Sequence, residues 1–90
     1  MNEQATISRN DAILSTNLGD EVMMMSIERG EYYALDPVGA RIWQLIEQPT
    51  SLQSICDTLC AEFDVSPETC REDVSSFVTN LHSMELIELL

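Results

Sequence analysis

The chain has little from which to build a catalytic or phosphate-binding site. Four basic residues stand against sixteen acidic ones in 90 residues, a formal charge of −12 at pH 7. That balance would repel a phosphate backbone and an anionic lipid surface alike, so neither nucleic acid nor membrane is an expected partner. Glycine occurs only at positions 19, 30 and 39, which leaves no glycine-rich loop to cradle a phosphate. The single histidine, His82, falls near the end of a predicted helix. No nucleophile stands near it in a pattern that would build a cleft. Long apolar runs are also absent: nothing reaches the roughly 18 residues a membrane span needs, and MNEQATISRND is too polar for a signal peptide. These absences lead us to expect a cytoplasmic, non-enzymatic protein without cofactor. A chain of this length buries only about 60% of its unfolded surface and has little room for an enclosed active site.

Three cysteines, an odd number without an export signal, fit a reducing compartment better than a disulfide framework. Cys56 and Cys60 are one helical turn apart, a spacing that could present two thiolates to zinc. However, CxxxC followed after nine residues by a single Cys70 matches no strong zinc pattern, and four ligands are reached only by including His82. We expect no metal and read the cysteines as small apolar residues packed between helices.

Hydrophobic spacing divides the chain in two. Residues 1–11 are polar apart from Ile7 and are expected to be a flexible N-terminus, with a single domain over 12–90. Ala12–Thr16 reads as a short strand, ended by the turn-forming cluster Asn17 to Asp20. Glu21–Ile27 (EVMMMSI) and Glu31–Leu35 (EYYAL) read as the next two strands. A two-residue turn at Arg29-Gly30 would set Ile27 opposite Tyr32, Ser26 opposite Tyr33 and Met24 opposite Leu35. One face then holds Met23, Met25, Ile27, Tyr32 and Ala34, and the other Val22, Met24, Tyr33 and Leu35, so both faces are largely apolar. Of the two tyrosines, Tyr33 is expected in the core because it shares a face with Leu35.

After Leu35 the period becomes helical. Asp36 as N-cap and Pro37 at the first position open a helix to about Glu47, carrying Val38, Ile42, Leu45 and Ile46. Thr50 with Gln53 forms a capping-box pattern for a second helix bearing Leu52, Ile55, Cys56, Leu59, Cys60 and Phe63. Ser66 and Pro67 open a third, to about Ser83, and LIELL closes the chain. The expected fold is α+β and winged helix-turn-helix-like, a three-stranded antiparallel sheet followed by three helices. That shape raises DNA binding, with the third helix in the major groove, but its first turns carry Glu68, Glu72 and Asp73 against Arg71 alone. Of the acidic residues on the second and third helices, most are read as a solvated face. A subset attracting a basic segment of a partner stays open.

The runs DEVMMMSIERGEYYALDPVGARIWQLIEQPTSL and LCAEFDVSPETCREDVSSFVTNL resemble the PqqD-like proteins, recognition elements for ribosomally made, modified peptides. The ordered set is a YY.L strand, Ile42-Trp43 one turn into the first helix, FDV before the third, and DV..F...L within it; it spans about Asp20 to Leu81. It is most similar to the discrete members of lasso-peptide pathways. The resemblance implies a non-catalytic domain that captures the leader segment of a precursor peptide and presents it to a leader peptidase and a cyclase. It also implies that the leader adds as a strand beside the third strand, facing the third helix. Carried onto this sequence, the peptide-binding residues are Glu31, Tyr32, Tyr33, Ala34 and Leu35 with Cys70, Asp73, Val74, Phe77 and Leu81. Asp73 stands out among these, because a carboxylate within an apolar strip is costly unless solvent or a partner is near.

Elementary strand chemistry agrees with this: an open edge is a template for β-augmentation, unless LIELL or a second copy covers it. Monomer or weak homodimer is the expected state. A peptide chaperone for pyrroloquinoline quinone or another modified peptide, a winged-helix DNA-binding regulator and a small zinc-binding protein are the alternatives.

Overall fold

The computed structural model describes residues 5–90, as two three-stranded antiparallel sheets and three helices. Strand β1 (Thr6–Arg9) precedes a meander of β2 (Ile13–Leu18), β3 (Glu21–Ser26) and β4 (Glu31–Leu35). Helix α1 (Pro37–Leu45), the two-residue β5 (Thr50–Ser51), α2 (Leu52–Glu62), α3 (Pro67–Ser83) and β6 (Ile87–Leu89) follow. The first sheet runs β2-β3-β4, in keeping with the hydrophobic pattern; the second, β5-β1-β6, has no counterpart in that pattern.

This second sheet corrects the expectation of a flexible segment through Asp11. Ile7 is fully buried and sits opposite both Thr50 and Leu89. Arg9 lies over the Trp43 ring, 4.5 Å from its centroid, and donates through both Nε and a terminal nitrogen to the Trp43 carbonyl oxygen. One buried aliphatic side chain and one stacked cation thus tie a polar segment to the core. The part of the expectation that concerns residues 1–4 lies outside the described residues.

Three helix starts follow from local chemistry. Asp36 Oδ1 accepts from Gly39 N at 2.8 Å and Ser66 Oγ accepts from Thr69 N, each with proline in the first turn. At α2 the cap is Ser51, which accepts from Ser54 N, rather than Thr50 with Gln53. Thr50 is instead committed to pairing with Ile7. Helix α1 ends at Leu45, one residue before its C-cap Ile46 and short of Glu47.

The β3–β4 register also differs from expectation. Four residues, Ile27 to Gly30, make the connection, and Ser26 lies opposite Glu31, Met24 opposite Tyr33 and Val22 opposite Leu35. Gly30 sits at φ +64° and donates to the Ser26 carbonyl, while Arg29 N–H donates to Ser26 Oγ. These bonds close a wider loop than Arg29-Gly30 alone. The slip is two residues, so each side chain keeps its face. Val22, Met24 and Leu35 are buried, Tyr33 is half-buried against the core, and Tyr32 is 71% exposed. The core joins this inner face to Ile42, Trp43 and Ile46 of the α1 region, Leu52, Ile55 and Leu59 of α2, and Val74, Val78 and Leu81 of α3.

Candidate functional site

The edge of β4 is open among the described residues, because β6 pairs with β1 and leaves the outer flank of Glu31–Leu35 uncovered. Which backbone groups face that edge follows from the β2–β3 turn. Leu18 and Glu21 flank the two-residue Gly19-Asp20 loop, with Gly19 at φ +67°. Residues that flank such a turn exchange hydrogen bonds, and bonded and non-bonded pairs alternate from there. Glu21, Met23 and Met25 therefore address β2, while Val22, Met24 and Ser26 address Leu35, Tyr33 and Glu31. Tyr32 and Ala34 are left to direct their N–H and C=O groups to the open edge.

Residues of β4 and α3 together line two adjoining cavities. The larger, about 460 Å³, is lined by Ala34, Leu35 and Asp36, by Val38, Gly39 and Ile42 of α1, by Leu59, Phe63 and Val65, and by Cys70, Asp73, Val74 and Phe77 of α3. The second, about 440 Å³, continues along Tyr32, Tyr33, Ala34 and Leu35 to Phe77, Asn80, Leu81 and Met84. Ala34, Leu35 and Phe77 belong to both, so the cavities form one apolar groove beside an unpaired strand edge.

Nine of the ten residues singled out from the sequence meet along this groove; Glu31 is exposed at the start of β4 and lines neither cavity. Leu35, Cys70, Val74 and Leu81 are buried and form its floor. Ala34, Asp73 and the half-buried Phe77 lie nearer its mouth. Missing from the sequence reading are the contributions of Val38, Gly39 and Ile42 and of Leu59, Phe63 and Val65. Val38 and Phe63 fall on apolar helical stripes, yet they are 49% and 43% exposed. An apolar helix position left in solvent at a groove is a signal that periodicity cannot give. Gly39 matters through close approach: a Cβ there would stand 3.1 Å from Phe77 Cζ, so glycine lets the ring lie against α1.

The three cysteines are free and lie between α2 and α3, with Cys70 Sγ directed at the Cys56 carbonyl oxygen at 3.9 Å. Burial above all, and then the neighbouring Cys60 and Cys56 thiols, push the Cys70 pKa up to about 12. Burial likewise raises Cys56. Such thiols are protonated at neutral pH and are poor nucleophiles and metal ligands. Among the described residues no three His, Cys, Asp or Glu side chains are grouped to hold a metal ion, and no helix is long and apolar enough to cross a membrane.

The sequence profile of coenzyme PQQ synthesis protein D (PqqD) matches residues 21–87, which run from β3 into β6. The chain belongs to the PqqD family. No curated protein matched it in a sequence search. Among solved structures it is similar to TbiB1 in complex with the TbiA(beta) leader peptide. That likeness has a TM-score of 0.86 and 37% identity, over 90% of this chain and 94% of that one. It also resembles a lasso peptide synthetase B1 complexed with the leader peptide, with a TM-score of 0.82 over 91% and 96% of the two chains. At 20% identity that second likeness speaks for the fold alone.

Proposed function

We propose that this PqqD-family chain is a non-catalytic recognition domain. It binds the leader segment of a ribosomally made precursor peptide and delivers it to the leader peptidase and cyclase of a lasso-peptide pathway. The observation that carries this reading is the open β4 edge beside an apolar groove, in a chain 37% identical to a TbiB1 that was solved with a leader peptide bound. The leader adds as a strand along β4, taking hydrogen bonds from and giving them to Tyr32 and Ala34. Its alternate side chains enter the groove against Leu35, Cys70, Asp73, Val74, Phe77 and Leu81, with Tyr33 on the floor and Glu31 at the strand's start. Backbone pairing supplies affinity and the cavities supply selectivity.

We read the shape as winged helix-turn-helix-like, with α2 and α3 as the helix pair. The acidic first turns of α3 and the −12 charge favour a peptide over DNA. The same charge disfavours stable self-association, in keeping with a monomer or weak homodimer in the cytoplasm. A second reading has one observation in its favour: the family profile is that of a protein of coenzyme PQQ synthesis, so the captured peptide would be a quinone-cofactor precursor.

The test is a fluorescence-polarisation titration with labelled leader peptides from the precursors encoded beside the gene and from a quinone-cofactor precursor. Binding to the former at micromolar Kd or tighter, about −8 kcal/mol or better, is expected. It should be retained at salt concentrations that abolish any duplex-DNA binding. Saturable binding to the quinone precursor alone selects the second reading, and the absence of saturable binding to either overturns both.

A further inference from the structure

The strand edge explains how a peptide is held but not which peptides are accepted, and the groove's charge is one-sided. No Lys, Arg or His side chain lines either cavity. Carboxylates line only the larger one, Asp36 and Asp73. Asp36 is already committed, accepting from Gly39 N as the N-cap of α1. Asp73 takes part in neither ion pair found among the described residues, Arg29 with Glu85 and Arg41 with Glu62. It stands on α3 one turn before Phe77, at the mouth of the apolar cavity.

We propose that Asp73 makes the groove selective for a strand that carries a basic side chain next to its apolar anchor. The proposal rests on the reading that the peptide pairs with β4. A strand so placed sends every second side chain into the groove. The one that fills the larger cavity has its same-face neighbour two positions away, roughly 7 Å along the strand, on the side of the groove that Asp73 lines. Covering the mouth removes water from Asp73, and a carboxylate that loses water without a partner is costly. A lysine or arginine at that neighbouring position offsets the loss, and an acidic residue there adds repulsion. The overall negative charge of the chain attracts basic peptides in general, but it cannot single out one position within them.

Panning a display library of random twelve-residue peptides against the full chain, and against Asp73→Asn and Asp73→Lys, tests this. Asp73 is exposed, so both variants should fold, and both leave most of the −12 charge in place. The expected wild-type selection shares a bulky apolar position, with Lys or Arg enriched at least threefold two residues away. Asp73→Asn should keep the apolar position and lose that enrichment. Asp73→Lys should replace it with Asp or Glu at the same position. A basic preference that is absent from the wild type, or unchanged in both variants, overturns the proposal while leaving leader binding intact. If none of the three proteins selects an alternating apolar motif, the leader-binding reading itself falls.

Discussion

Proline at position 34 probes the proposed docking edge at a single atom. Ala34 lies opposite Met23, and by the alternation set at the Gly19-Asp20 turn its N–H points away from β3. Ala34→Pro therefore removes no bond within the sheet, and an edge position facing outward is where a strand tolerates proline. What is lost is a donor to the bound peptide, about 0.5–1.5 kcal/mol net for the bond itself and about 1–3 kcal/mol once a peptide carbonyl is left buried without a partner. At about 1.4 kcal/mol per tenfold change, Kd should rise roughly 5- to 150-fold. Strain from fixing φ should be small, about 1 kcal/mol or less, which is a fall in Tm of about 4–8 °C at most for a domain of this size. Tyr33→Pro is the control. Tyr33 N–H points toward Met24, so its loss should lower Tm markedly. Fluorescence polarisation with the labelled leader and thermal melts of both variants give the comparison. A folded Ala34→Pro protein that binds as the wild type does would refute the docking edge. Equal destabilisation by the two prolines would show that the hydrogen-bond alternation is inverted.

Gly39→Ala gains up to about 1 kcal/mol of helix propensity, but its Cβ would stand 3.1 Å from Phe77 Cζ and 3.2 Å from the capping Asp36 Oδ1, so the ring and the cap must both give way. Leader affinity should therefore weaken severalfold; unchanged affinity would mean that Phe77 does not shape the site. Ile7→Ala removes a fully buried side chain from β1. It should cost about 2–5 kcal/mol in urea unfolding, and a shift near zero would show that β1 is not part of the core. The thiols give a pH dependence. Cys70 is held up to about 12 by burial and then by its thiol neighbours, against an ordinary value of 9.0, so the folded state keeps its proton where the unfolded chain loses it. That contribution is complete below pH 9.0 and fades as pH rises toward 12. The urea midpoint should fall above pH 9, and less steeply in Cys70→Ala; a midpoint that rises there contradicts the assignment.

Residue pattern alone made much of this molecule legible where the interactions are short in range. Asp36-Pro37 and Ser66-Pro67 announce helix starts because a cap needs only the next three residues. The faces of β3 and β4 could be read even with the wrong register, since a slip of two preserves alternation. The loop itself escaped, because nothing local separates a two-residue turn from the wider closure that Ser26 makes with Arg29 and Gly30. Ser51 in place of Thr50 as the cap of α2 depends on a partner 43 positions away, Ile7. Strand β1 escaped for the same reason: one apolar residue in a polar stretch has no periodicity to reveal it.

The groove divides along the same line. Glu31–Leu35 and the α3 stripe of Cys70, Asp73, Val74, Phe77 and Leu81 could be named from the chain, by pattern and by resemblance to the PqqD-like proteins. By itself the sequence determined the three-stranded meander and the three helices, their apolar faces, the charge that disfavours nucleic acid and the strand offered as an edge, all of which follow from local stereochemistry and composition. Only the tertiary structure decided that β6 turns to β1 and leaves β4 uncovered, and that α1, the end of α2 and the α2–α3 connection together supply nearly half of the larger cavity's wall. A cavity is the space that packed elements fail to fill, so it is a property of their arrangement, and no single element's pattern contains it.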